Sequence, residues 1–400
     1  MSKNIVVFLV QSTKGGSKKR LCEAVRRMSK EKKCYIIASS SDFPLDIRNN
    51  ENIELVNTPD QNAFTNTLAF TLLSTIKLLK IIYKYGSSIE WVGSFSANAG
   101  FSIALLSPFI DTKIFCVRRG ANLRRLKIRL REDMNRNALS HIKGLLKIFI
   151  HKLISKAIFA SSDLLISQTE SGIRQLENEY DDWLPSRRAV LRNNVDATWI
   201  VRRRNCAVND PIKLRCDVFN VCYVGRMQLL VKGVDSLLNA AEKLKKDDIC
   251  FHLVGDGKDM KKIHDHILSK SLKNSVNLYG WMDNPLKIMV ESDLLVVPSR
   301  VDPCPNVVLE AFAVGTPVIG SNTGGIKAML HYDDLLFNPG SPKEISKMIR
   351  DIATDREVYD DISSKCVDLK DKHCFDWGGN LTKVFREYKY HTGIYKPIDI

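Results

Sequence analysis

Short apolar runs alternate with amphipathic stretches along this chain. IVVFLV (5–10), CYIIAS (34–39), IELVNT (53–58), IEWVGS (89–94) and KIFCVR (113–118) are brief and rich in β-branched or aromatic residues, which predicts strands. Between them lie helix-like runs: LCEAVRRMSKE after a glycine-rich turn, residues 67–85, and a small-residue segment over 97–106. The pattern resumes with DLLISQ, VCYVG (221–225), ICFHLVG (249–255), VNLYG (276–280), DLLVVPS (293–299) and TPVIGS (316–321). Strand, turn and helix repeated in this way predict α/β architecture with parallel, doubly wound sheets. A polar, basic stretch at 201–215 reads as a linker. Two Rossmann-like domains are therefore expected, 1–205 and 216–375, with a tail at 376–400 that looks helical from about Asn380.

The candidate chemistry sits at predicted strand ends. PSRVDPCPNVVLEAFAVGTPVIGSNTGG (298–325) holds Asp302 and Glu310 with seven residues between them. The first carboxylate falls in a Pro-rich loop and the second is expected in the first turn of the following helix. Free N–H groups at that helix start, around Asn306, Val307 and Val308, suit phosphate oxygens, and the carboxylates suit sugar hydroxyls. In VCYVGRMQLLVKGVD, Arg226 and Lys232 follow a strand, and Gly233 precedes a helix. Two fixed cations can hold a diphosphate leaving group, although such a pair is also an ordinary basic βα loop.

Together these elements resemble the retaining glycosyltransferases of family 4, with their E-x7-E signature and G-R-x(n)-K-G element; Asp302 stands where Glu is usual. The resemblance implies the GT-B fold: two domains facing a cleft, with the last helix crossing back to the first, anchored by Trp377. It implies a nucleotide-sugar donor, UDP-sugar favoured over GDP-sugar, in the second domain. Arg226 and Lys232 would bind its diphosphate, Glu310 the ribose hydroxyls and Asp302 the transferred sugar. Trp281 and Met282, after Gly280, would meet the base, although Trp281 also reads as a core residue. Gly15 and Gly16 match the loop after the first strand that approaches the donor phosphate or sugar. Asn194-Val195-Asp196 resembles the N-G-V-D segment near the end of the first domain, with Asn194 where a left-handed residue is common. With no D-x-D motif, no metal is expected. His264-Asp265-His266 reads as a solvated helix face, since i and i+2 point apart.

Charge adds a partner. The net charge is +15, and residues 1–200 hold 31 Lys+Arg against 18 Asp+Glu. Arg118, Arg119, Arg124, Arg125 and Lys127 belong to the densest basic stretch, 113–152, which suggests an anionic acceptor or membrane surface. The run 144–160 reads either as a membrane-surface helix or as an ordinary helix packed on the sheet with a lysine edge. A glycan or lipid-linked acceptor in bacterial surface polysaccharide synthesis, of the lipopolysaccharide or O-antigen type, fits that charge. No run approaches the roughly 18–20 apolar residues of a membrane span, and no C-x-x-C pair is present, so a cytoplasmic or peripheral location is expected. Other readings stay open at this point: a sugar phosphorylase or nucleotide-sugar epimerase on the same fold, a non-catalytic scaffold, or a basic nucleic-acid-binding protein, for which no recognised motif is present.

Overall fold

The computed structural model describes residues 4–11, 16–39, 43–58, 65–118, 122–134, 138–195, 204, 205, 207, 209, 212–388, 390, 391 and 393–396. The chain forms two compact units, 1–193 with 376–399 and 194–375. The division falls at Asn193/Asn194, not in the polar 201–215 stretch. Hydrogen bonding explains why. Asn193 Oδ1 accepts from Gln168 Nε2 at 2.9 Å, inside the first unit. Asn194 Nδ2 instead donates to the Phe375 carbonyl at 2.8 Å, and Val195 N–H to His373 O at 2.8 Å. Asn194 does not take the left-handed backbone suggested above; among the described residues, only Ser271 and His331 do so outside glycine.

The first unit is built on β1 (Ile5–Val10), β2 (Lys33–Ala38), β3 (Ile53–Asn57), β4 (Ile89–Ser94), β5 (Lys113–Arg118), β6 (Leu164–Ser167) and β7 (Arg187–Val190). A late strand, Gly393–Tyr395, adds to the β7 edge, and every neighbouring pair is parallel. All six residues of β1 are buried, as expected for a strand covered on both faces. The helix Trp377–Glu387 belongs to this unit and packs on the helix Gly16–Met28. Trp377 is buried there, and Phe385 stacks on Trp91 with ring centroids 4.5 Å apart.

The second unit holds β8 (Phe219–Val224), β9 (Ile249–Val254), β10 (Val276–Gly280), β11 (Leu294–Val297), β12 (Val318–Ser321) and β13 (Leu336–Phe337). Its order is β10-β9-β8-β11-β12-β13, again parallel. The sheet grows outward from β8 in both directions, so the switch point lies between β8 and β11. In open α/β sheets ligands bind there, beyond the strands' carboxyl ends. One contiguous apolar core surrounds this sheet, from Val221 and Leu237 to Ile349 and Leu369.

The helix Ala138–Ala160 departs from the packed alternative. Ile158 and Phe159 are buried, but Leu139, Ile142, Leu146, Phe149 and Leu153 are all more than half exposed. Its apolar stripe faces out. Arg118 also differs from expectation: it donates to Ser155 Oγ at 3.0 Å and lies over the Phe159 ring, inside the packing between β5 and this helix. Arg124 is exposed and Arg125 half-buried; exposed Lys127 lies 3.7 Å from Glu179, while Arg119 is outside the described residues.

Candidate active site

The loops after β8 and β11 meet at the switch point. Lys232 closes the short helix Leu229–Lys232, and its ammonium pairs with Asp302 on the loop after β11. The residues are 70 positions apart and both largely shielded from solvent. Gly233 follows with φ +69°; a Cβ there would lie 1.9 Å from the Pro298 carbonyl oxygen. Only glycine lets the two loops come this close. On the other flank, a Cβ on Gly325 would lie 2.1 Å from the Asp302 carbonyl oxygen. The Asp302 loop is therefore wedged between two backbones.

Arg300 fastens the same loop, a role that no motif in the sequence marks. Its guanidinium makes a bidentate pair with Asp235 at 2.7 and 2.8 Å and donates to Ser236 Oγ at 2.8 Å. It also donates to the carbonyls of Leu230 and Leu229 at 3.1 and 3.3 Å, and its own N–H reaches Val231 O at 3.1 Å. The signal was there in opposite charges: Arg300 stands two residues before Asp302, and Asp235 three after Lys232.

Arg226 lies on the loop after β8, exposed, and its guanidinium makes no hydrogen bond or ion pair with the described residues. Its carbonyl accepts from Tyr223 Oη at 2.9 Å. Burial, with the Asp302 charge adding, raises the Tyr223 pKa, so this phenol stays a neutral donor. The loops after β8 and β9 are stitched by Met227 N–H to Asp256 O at 2.9 Å and by Leu229 N–H to Asp259 Oδ2 at 3.0 Å.

The helix Asn306–Val314 begins just beyond Asp302. Glu310 is its fifth residue, in the second turn and not the first; it is half-buried. Val308 N–H is already engaged by Pro305 O at 3.2 Å and its side chain is core, which removes Val308 from the expected phosphate cradle. Asn306 and Val307 lie at the helix start, both half-buried. Trp281 is 75% exposed, so it is not a core residue, whereas Met282 packs against the second unit's core. Gly16 opens the first helix; Gly15 lies outside the described residues. His264 and Asp265 are exposed, and among the described residues no cluster of three His, Cys, Asp or Glu could hold a metal. A cavity of about 650 Å³, lined by residues including Phe219, Asp248, Asp293 and Arg350, opens at the opposite end of the sheet from these loops.

Residues 212–366 match the family model described as Glycosyl transferases group 1. The match lies within the second unit, residues 194–375. Over 221 residues the chain is 30% identical to an uncharacterized glycosyltransferase of Methanocaldococcus jannaschii, covering 54% of this chain and 57% of that one. It is 26% identical over 129 residues to a lipopolysaccharide core biosynthesis glycosyltransferase of Rhizobium meliloti, covering 32% and 37%. The chain spans about half the length of the curated relatives it matches. The fold resembles the crystal structure of the Anabaena protein HepE in complex with UDP, with a TM-score of 0.71, 14% identity, and 96% and 100% of the two chains covered. This likeness identifies the two-domain fold as GT-B. No described helix of the chain is long and apolar enough to cross a membrane.

Proposed function

We propose that this protein is a retaining glycosyltransferase of family 4 that moves a sugar from a nucleoside-diphosphate sugar to a glycan hydroxyl. The observation that carries the reading is the Lys232–Asp302 contact at the switch point of the second sheet. It joins the K-G element to the first carboxylate of the D-x7-E element, as a site for diphosphate beside sugar requires.

Arg226 and Lys232 hold the diphosphate. Without donor, Asp302 holds Lys232 in place; when phosphate oxygens take over the ammonium, Asp302 is released toward the sugar hydroxyls. Glu310, one turn deeper in its helix, takes the ribose hydroxyls. Asn306 and Val307 flank the phosphates, and Trp281 and Met282 the base. As the acceptor oxygen bonds to the anomeric carbon, the bond to the diphosphate breaks on the same face. The departing phosphate oxygen takes the acceptor proton. The two cations stabilise the charge that builds there, so neither a protein nucleophile nor a metal is needed. UDP is the favoured nucleotide, supported by the UDP and UDP-glucose bound in HepE. The acceptor is a lipid-linked or lipopolysaccharide-type glycan of bacterial surface polysaccharide synthesis, supported by the Rhizobium relative, and the enzyme works from the cytoplasm at the membrane's inner face.

The test is thermal shift and calorimetry with UDP, GDP and ADP, with and without EDTA, on native protein and Lys232→Ala. One charged contact contributes about 1.5–3 kcal/mol, so affinity for the preferred diphosphate should fall about ten- to a hundredfold. If no nucleoside diphosphate binds, or the variant binds as well as the native protein, the reading fails.

A further inference from the structure

Three helices of the first unit lie side by side: Thr65–Tyr85 packs on Ala97–Leu106, which packs on Ala138–Ala160. Their inner residues, including Leu78, Ile103 and Ile158, are buried. Their outer residues are also apolar. Leu72, Ile76, Leu79 and Tyr83 are exposed on the first, Leu105 on the second with Phe109 just beyond it, and Leu139, Ile142, Leu146, Phe149 and Leu153 on the third. On the outer helices these positions recur every three or four residues, so each forms one stripe. Exposed lysines border the stripes: Lys80 and Lys84 on one helix, Lys143, Lys147 and Lys152 on the other. None of the three helices contains an Asp or Glu.

We infer that this face docks on the surface of an anionic lipid bilayer, the apolar stripes entering the headgroup boundary and the lysines lying against lipid phosphates. An apolar face of this extent marks an interaction surface. Its rim selects the occupant. A second copy would bring lysine against lysine with no carboxylate on these helices to relieve the repulsion, whereas acidic lipid complements each of the border lysines. The residues differ from the arginines that composition pointed to, since Arg118 is turned inward. The inference does not depend on the donor chemistry.

The experiment is flotation of the full chain with phosphatidylcholine vesicles with and without about one-third phosphatidylglycerol, at low and high salt. The chain should float with the anionic vesicles, with affinity falling when salt is raised. Lys143→Gln and Lys147→Gln should each weaken binding about fivefold. Leu146→Ser with Phe149→Ser should weaken it at least about tenfold. Both apolar positions are exposed, so the variants should keep the native melting temperature and UDP response, which separates this outcome from failure of the transferase reading. Equal flotation of native and variant protein, or no flotation with anionic vesicles, overturns the inference. So does a native dimer in light scattering that these same substitutions make monomeric, which would assign the face to a second copy.

Discussion

Replacing Arg300 with alanine tests whether the contacts behind the Lys232–Asp302 pair hold the candidate site in place. The substitution removes the bidentate pair to Asp235 at 2.7 and 2.8 Å, the bond to Ser236 Oγ at 2.8 Å and those to the Leu229 and Leu230 carbonyls. Breaking a fully buried pair costs about 3–5 kcal/mol, because the remaining charge is stranded. Here the side chains of Arg300 and Asp235 are 25% and 29% exposed, so water softens the loss to about 2–3 kcal/mol. At about 2–4 °C per kcal/mol for a unit of this size, the second unit's melting temperature should fall by about 5–10 °C. Activity should fall further. The loop that places Asp302 against Lys232 loses its anchor, and a displacement of about 1 Å at a reacting centre costs on the order of a hundredfold. Arg300→Lys keeps the charge but not the planar fork, so it should recover only part of either effect. Asp235→Asn should act on the same contact, and the double variant with Arg300→Ala should be clearly less damaged than the sum of the singles. Differential scanning calorimetry and UDP titration read both quantities. An Arg300→Ala protein with unchanged melting and UDP affinity, or strict additivity with Asp235→Asn, would refute the reasoning.

Gly233→Ala should destabilise the second unit by about 3 kcal/mol or more in urea melts, because its positive φ and the Pro298 carbonyl 1.9 Å from the added Cβ leave no relaxed arrangement. Glu310→Ala should lower affinity for the preferred diphosphate about tenfold by calorimetry, as expected for loss of a ligand contact. Burial pushes the imidazole of His252 down to about 4 from 6.5. The unfolded chain takes up that proton and the folded one does not, so the contribution is intact above pH 6.5 and falls away as pH drops to 4, by about 3 kcal/mol in total. In His252→Asn, urea midpoints measured from pH 7.5 to 4 should lose that part of the acid slope; a constant offset from native protein would count against it.

Much of the architecture was legible because fully covered parallel strands write themselves as short apolar runs: the placements of IVVFLV and KIFCVR agree with β1 and β5 to the residue. Elements whose identity depends on distant partners were not. Gly393–Tyr395 is three residues long and is a strand only because β7 has an open edge beside it. The domain division escaped for a similar reason, since polarity marked 201–215 while the hydrogen bonds of Asn193 and Asn194 place the change of unit earlier. Glu310 was set a turn too early because Pro305, and not the carboxylate spacing, decides where that helix starts.

The contrast between the site and the outward helix face shows which kind of inference a sequence supports. Lys232 and Asp302 are 70 residues apart, yet their meeting follows from topology. A doubly wound sheet starts at one strand, builds outward in one direction, then returns to that first strand and builds in the other. The first strand's loop must therefore lie beside the loop of the strand that starts the second half, and the K-G and D-x7-E elements occupy those two loops. Amphipathicity has no such rule attached. The apolar stripe of Ala138–Ala160 fits a helix turned inward or outward equally well, because periodicity names a face without naming its partner. Only the packing decides: Ile158 and Phe159, with Ile148 and Ile154, seat the helix on its neighbours, which leaves Leu146, Phe149 and Leu153 available to something outside the chain.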